Sequence, residues 1–144
     1  MSVDVLLVED NPGDVRLTQE AFRAANWDIH LHVASDGVEA MEFLRKEGSY
    51  AEAPRPALIL LDLNLPKMNG REVLAEIKTD NVLKTIPTVI LSNSDTASDI
   101  AASYQLHANC YVTKPTLSDD LDQIIDYINS FWLKRTRLST TAMN

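Results

Sequence analysis

Residues 57–66 read ALILLDLNLP, and the first five of them, Ala57 to Leu61, are wholly apolar. A short apolar run bounded by turn signals reads as a strand hidden on both faces, the kind found in a parallel sheet covered by helices. Asp62 therefore falls where burial alone would place no charge. A carboxylate at the end of a hidden strand needs a chemical reason, and the rest of the chain supplies one.

Outward from this stretch, apolar runs alternate with segments of helical period, five of each. Val3 to Val8 reads as the first strand and Pro12 to Ala25 as the first helix, with Asn11 as N-cap, Pro12 at the first helical position and Asp14 in the first turn. Ile29 to Val33 is a second strand, and a helix near Gly37 to Lys46 ends at Gly48. Pro54-Arg55-Pro56 leads into the strand of Ala57 to Leu61. A helix from about Arg71 to Lys78, a strand over Thr88 to Leu91, a weakly patterned helix near Ala97 to Tyr104 and a short strand, Cys110 to Val112, follow. The fifth helix has the strongest period, through Leu117, Leu121, Ile124, Ile125, Ile128, Phe131 and Trp132. One domain over residues 1–135 and a frayed tail over 136–144 are expected.

Strands joined by single helices require right-handed crossovers, which gives an α/β doubly wound parallel sheet with helices on both faces. In such sheets, sites form beyond the carboxyl ends of the strands where strand order reverses. With the order 2-1-3-4-5, strands one and three are neighbours and the reversal falls between them. Glu9 and Asp10 after strand one then meet Asp62 after strand three.

The 144 residues carry 13 basic and 21 acidic side chains, a net charge of −8. That balance repels a phosphate backbone, and Lys134, Arg135 and Arg137 are better explained as complements to a helix end than as a nucleic-acid patch. Cys110 is the only cysteine, so no internal disulfide forms, and it is expected to pack as a small apolar group. No apolar segment reaches membrane-span length, and a cytoplasmic location is the expectation. His30 and His32 share one face of a strand but lack a third ligand, so they read as surface polar residues.

Three carboxylates brought together must share a proton or bind a cation. An all-oxygen cluster in a small open site suits Mg²⁺, which takes few protein carboxylates and keeps several waters. Ser92 after strand four and Lys114 after strand five can meet phosphoryl oxygens, the first by hydrogen bond and the second as a point charge. Together these residues describe a phosphoryl-binding site.

The set Glu9-Asp10, Asp62, Ser92 and Lys114-Pro115, with Tyr111 three places before the lysine, resembles the receiver domain of two-component response regulators over about residues 3 to 133. The stretches EDNPGDVRLTQEAF and LDLNLPKMNGREVL resemble stand-alone cyanobacterial phytochrome response regulators. The resemblance implies a flavodoxin-like (βα)5 fold and a phosphoprotein switch rather than a turnover enzyme. It makes Asp62 the phosphoacceptor, loaded by a sensor histidine kinase, here a phytochrome. Asp10, Asp62 and the backbone carbonyl of Asn64 would hold Mg²⁺, with Glu9 acting through water. Lys114 and Ser92 would assist transfer, and Ser92 and Tyr111 would carry the switch to the surface of helix four, strand five and helix five. The resemblance further implies a cis Lys114-Pro115 bond, a homodimer, and output to a downstream protein or a histidine phosphotransfer protein, with no nucleic acid or membrane involved.

Asn93 departs from the family pattern, which has a smaller residue after the serine, and bears on water access to an acyl phosphate. The rival reading is a Mg²⁺-dependent phosphohydrolase with the same nucleophilic aspartate. Such an enzyme needs a carboxylate two residues after the nucleophile, where this chain has Asn64. A third reading, a phosphorylation-independent adaptor, leaves the carboxylate cluster without a use.

Overall fold

A computed structural model of the chain describes residues 3–24, 29–63, 65, 67–92, 97–108 and 110–113. Strands β1 (Val3–Val8), β2 (Ile29–Ala34), β3 (Leu58–Asp62), β4 (Thr88–Ser92) and β5 (Cys110–Thr113) alternate with helices α1 (Pro12–Ala24), α2 (Gly37–Arg45), α3 (Gly70–Thr79) and α4 (Ala97–Gln105). All strand pairs are parallel and the order is β2-β1-β3-β4-β5, the expected doubly wound arrangement. The fifth expected helix lies outside the described residues.

The period-2 alternation of the strands divides the core in two. Leu6, Val8, Ile59 and Leu61 point to one face, where Met41, Phe43 and Leu44 of α2 and Val73, Leu74 and Ile77 of α3 cover them. Val5, Leu7, Leu58, Leu60, Val89 and Leu91 point to the other, against Ala21 and Phe22 of α1. Every residue of β3 is buried, which accounts for its continuous apolar sequence. Asp62 belongs by parity to the row of Leu58 and Leu60.

Helix starts follow their local chemistry. Asn11 Oδ1 accepts from the Asp14 amide at 3.1 Å, Asp36 Oδ1 from the Glu39 amide at 2.8 Å and Asn69 Oδ1 from the Glu72 amide at 3.0 Å. Glu39 in turn accepts from the Ser35 amide at 2.8 Å, joining the entry to α2 in a reciprocal pair of bonds.

The end of α2 corrects the expectation of a glycine cap. Lys46, not Gly48, takes the left-handed conformation that closes the helix, with φ 57°. The Lys46 amide donates to the Phe43 carbonyl and the Glu47 amide to the Glu42 carbonyl, a Schellman closure two residues earlier than Gly48. Gly48, also at positive φ, opens a short 3₁₀ turn, Gly48–Tyr50.

His30 is exposed and His32 partly exposed, as expected of polar residues at the sheet surface, and His32 has in addition a partner from the next strand. The register sets His30 opposite Asp4, and the Asp4 carboxylate reaches two places along to His32 Nε2 at 2.9 Å. The His32 ring lies 5.2 Å from that of Phe43, which meets Tyr50 edge-on at 5.5 Å.

Two glycines hold the segment that follows β3. A Cβ on Gly70 would stand 2.3 Å from the Asp62 carbonyl oxygen and 2.5 Å from Leu63 Cα, and one on Gly37 would stand 2.1 Å from the Met68 carbonyl oxygen. Only a residue without Cβ lets α3 begin this close to the end of β3 and α2 this close to Met68. Lys67, at φ 64°, places its ammonium 3.4 Å from Asp36.

Gly70→Ala is therefore expected to destabilise the fold by about 2 kcal/mol or more, read from the urea midpoint, because the clash is with backbone and has no rotamer to relieve it. The Glu39 amide and then Lys67, working against partial burial, hold the Asp36 carboxyl below its ordinary value of 3.8. The charged form is the one the fold favours, so this contribution is complete above that value and fades as pH falls below it. Urea titrations should show Asp36→Asn less stable than the parent at neutral pH, by tenths of a kcal/mol to about 1, with the gap closing in acid.

Candidate functional site

Register brings the acidic residues together. Val8 of β1 stands opposite Leu61 of β3, so Glu9 and Asp62, next along each chain, leave the sheet side by side. Glu9 is held at both ends, since its amide donates to the Ala34 carbonyl at 3.0 Å and its Oε1 accepts from the Asn11 amide at 3.1 Å. Glu9 and Asp62 are 3% and 5% exposed, whereas Asp10 faces solvent. One oxygen from each of the three carboxylates lies within 4.8 Å of the others.

Two unit charges at that spacing repel by roughly 3 kcal/mol at an effective dielectric of about 20. The donor set is all oxygen, part buried and part open to solvent, which fits a hard divalent cation that keeps some of its water. The residues present thus suit Mg²⁺ or an ion of similar hardness.

Ser92 ends β4 and is fully buried. It stands one place beyond Leu91, the partner of Asp62 across the β3–β4 ladder, so its hydroxyl belongs to the same edge of the sheet. Thr113 of β5 pairs with Ser92, and Lys114 follows directly in sequence. Lys114, Pro115, Asn64 and Asn93 lie outside the described residues. Tyr111 has its backbone opposite Ile90 in the β4–β5 ladder, with its side chain outside the described set, as is that of Cys110.

Sequence reasoning named the groups at the strand ends but not those that position them. Gly37, Gly70, Asp36 and Lys67 shape the segment after Asp62 without meeting the carboxylate cluster. The available signal was Asn69-Gly70 at a helix start, a position where glycine is not otherwise favoured.

A doubly wound flavodoxin-like sheet with clustered carboxylates at its switch point defines a class, and the sequence agrees. The chain belongs to the response regulator receiver domain family, which it matches over residues 5–126. It is 51% identical over 134 residues to response regulator Rcp1 of Synechocystis sp., covering 93% of this chain and 91% of that one. The Mn²⁺-bound crystal structure of Rcp1 superposes with a TM-score of 0.84 at 51% identity, over 91% of this chain and 94% of that one. The phosphorylated cyanobacterial phytochrome response regulator RcpA superposes with a TM-score of 0.87 at 53% identity, over 92% and 95% of the two chains. Among the described residues no helix is long and apolar enough to cross a membrane.

Because the carboxylates repel, Asp62→Asn is expected to raise stability in EDTA by about 1 kcal/mol and to flatten the stabilisation that MgCl₂ or MnCl₂ gives the parent. Thermal melts across a metal titration measure both effects. Equal melting temperatures in EDTA together with an unchanged metal response would remove the cluster as a cation site.

Proposed function

We propose that this chain is a receiver switch that accepts a phosphoryl group on Asp62 from the phosphohistidine of a sensor kinase. The observation that carries this reading is the buried Asp62 carboxylate grouped with Glu9 and Asp10 at the reversal of strand order. Asp62 offers its oxygen in line to phosphorus, the new O–P bond forms as the P–N bond breaks, and the imidazole nitrogen keeps the electron pair. The protein's work is positioning and charge compensation, since phosphoryl transfer asks little covalent chemistry of it.

Asp10, Asp62 and the Asn64 carbonyl would hold Mg²⁺ directly, with Glu9 acting through its waters. When bound, the ion neutralises charge on the phosphoryl oxygens. Lys114 and Ser92 would meet two of those oxygens after transfer, and Tyr111 would turn as Ser92 shifts. The face of α4, β5 and the segment after β5 then carries the output to a protein partner or to a second copy of the chain. Similarity to RcpA favours a phytochrome as the kinase, and the Mn²⁺-bound Rcp1 supports a divalent ion at these carboxylates.

Asn64 stands where a hydrolase of this chemistry would need its acid, which weighs against turnover. Incubation with acetyl phosphate and Mg²⁺ should add a single PO₃H to the intact mass, labile to hydroxylamine and absent from Asp62→Asn. Sustained release of phosphate from simple phosphoesters would favour the hydrolase, and partner binding that ignores both kinase and Asp62 would favour an adaptor.

A further inference from the structure

The edge of the sheet remote from the carboxylates carries a second concavity. A cavity of about 390 Å³ opens between the C-terminal ends of α2 and α3 and the connector before β3. Buried Leu44 and Leu83 form its floor beside Val82, which is 67% exposed. Arg45, Lys46 and Arg55 stand around it against one carboxylate, Asp80. In a chain of net charge −8, three cations on one partly apolar hollow are a local reversal of sign.

These groups are held in place but not used up. Arg55 donates from Nη1 to the Val82 carbonyl at 2.9 Å and from Nη2 to Thr85 Oγ1 at 2.7 Å, which leaves three of its five N–H groups. Arg45 Nη2 meets Glu76 at 2.7 Å. Asp80 Oδ1 accepts from the Val82 and Leu83 amides at 2.8 and 3.1 Å, and these bonds, with a smaller contribution from the Arg45 charge, hold its carboxyl below the ordinary value, so it offsets only part of the positive charge of the three cations. No ion pair among the described residues claims the Lys46 ammonium.

A simpler account has the cations balance the negative ends of two helices. The bonding argues against that as a full explanation. The Glu42 and Phe43 carbonyls are met by the amides of Glu47 and Lys46, and the Ile77 carbonyl by that of Asp80. Moreover, Lys46 occupies a left-handed position at φ 57° where glycine would be less strained, so a lysine there costs stability, on the order of 1 kcal/mol. Strain kept by a charged side chain at the rim of a cavity points to a use for the charge.

We propose that this cavity binds a small amphiphilic anion, its phosphate or carboxylate head on Lys46, Arg55 and Arg45 and its apolar body over Leu44, Val82 and Leu83. Guanidinium forks suit planar or tetrahedral oxyanions, and the buried leucines select against a bare ion. The site lies at the opposite edge of the sheet from Asp62 and does not depend on its phosphorylation.

Hexyl phosphate, added in EDTA so that the acidic cluster holds no cation and repels the probe, should shift the amide resonances of residues 44–46, 55 and 80–83. Inorganic phosphate and hexanol should each bind those residues about tenfold or more weakly, because each lacks one half of the recognition. Lys46→Gly makes the deciding comparison: it should raise the urea midpoint, leave acetyl-phosphate labelling of Asp62 unchanged and weaken hexyl phosphate about fivefold or more. Binding of hexyl phosphate without binding to anionic phospholipid vesicles assigns a free organic anion, and binding to both assigns a lipid headgroup. Hexyl phosphate binding that Lys46→Gly leaves intact, inorganic phosphate binding equally well, or shifts confined to other residues would overturn the proposal.

Discussion

Mutual repulsion among three carboxylates is the constraint on which the site depends. Glu9 and Asp62 leave adjacent parallel strands at one level with almost no access to solvent, and Asp10 sits beside them at the surface. Such a cluster resists full ionisation by itself and favours the arrival of positive charge, which suits it to a hard cation. The hydrophobic sheet supplies the rigidity that keeps the charges from moving apart. Both faces of β3 are packed, and its carboxyl end has little freedom to relax.

That rigidity extends into the segment after Asp62. The start of α3 presses on the Asp62 carbonyl at Gly70, the start of α2 presses on Met68 at Gly37, and Asp36 pairs with Lys67 across the same gap. Two helix N-termini and a strand end are thereby locked together by contacts that no side chain larger than hydrogen would permit. The carboxyl end of β3 is left little freedom to reorganise. The opposite edge of the sheet follows other rules, with helix C-termini, cations and an apolar hollow.

Much of this was legible before any coordinates. The apolar run of β3 announced a doubly covered strand, and Asn11 before Pro12 announced the start of α1, because burial on two faces and N-cap bonding leave direct marks on residue choice. The carboxylates at the strand ends were legible as exceptions to burial. What escaped sequence reading were bonds that residue type does not reveal. Gly48 looked like the cap of α2, yet Lys46 accepts the left-handed conformation because it completes a Schellman closure two residues sooner. His32 is a polar residue at the sheet surface as expected, yet nothing in one strand reveals the Asp4 carboxylate reaching across from another.

By itself the sequence determined, among the described residues, which segments are strands and helices, the parity that assigns each apolar side chain to a face, and the chemical types standing at the strand ends. These are local or periodic properties, set by burial and backbone geometry within a few residues. Tertiary structure alone decided that one oxygen from each of Glu9, Asp10 and Asp62 lies within 4.8 Å of the others and that Gly37 and Gly70 are contact points. It also gathered Arg45, Lys46 and Arg55 on one cavity. Those facts depend on register and on the approach of elements distant along the chain, where distances of an ångström separate a working arrangement from a scattered one, and no local pattern encodes such a distance.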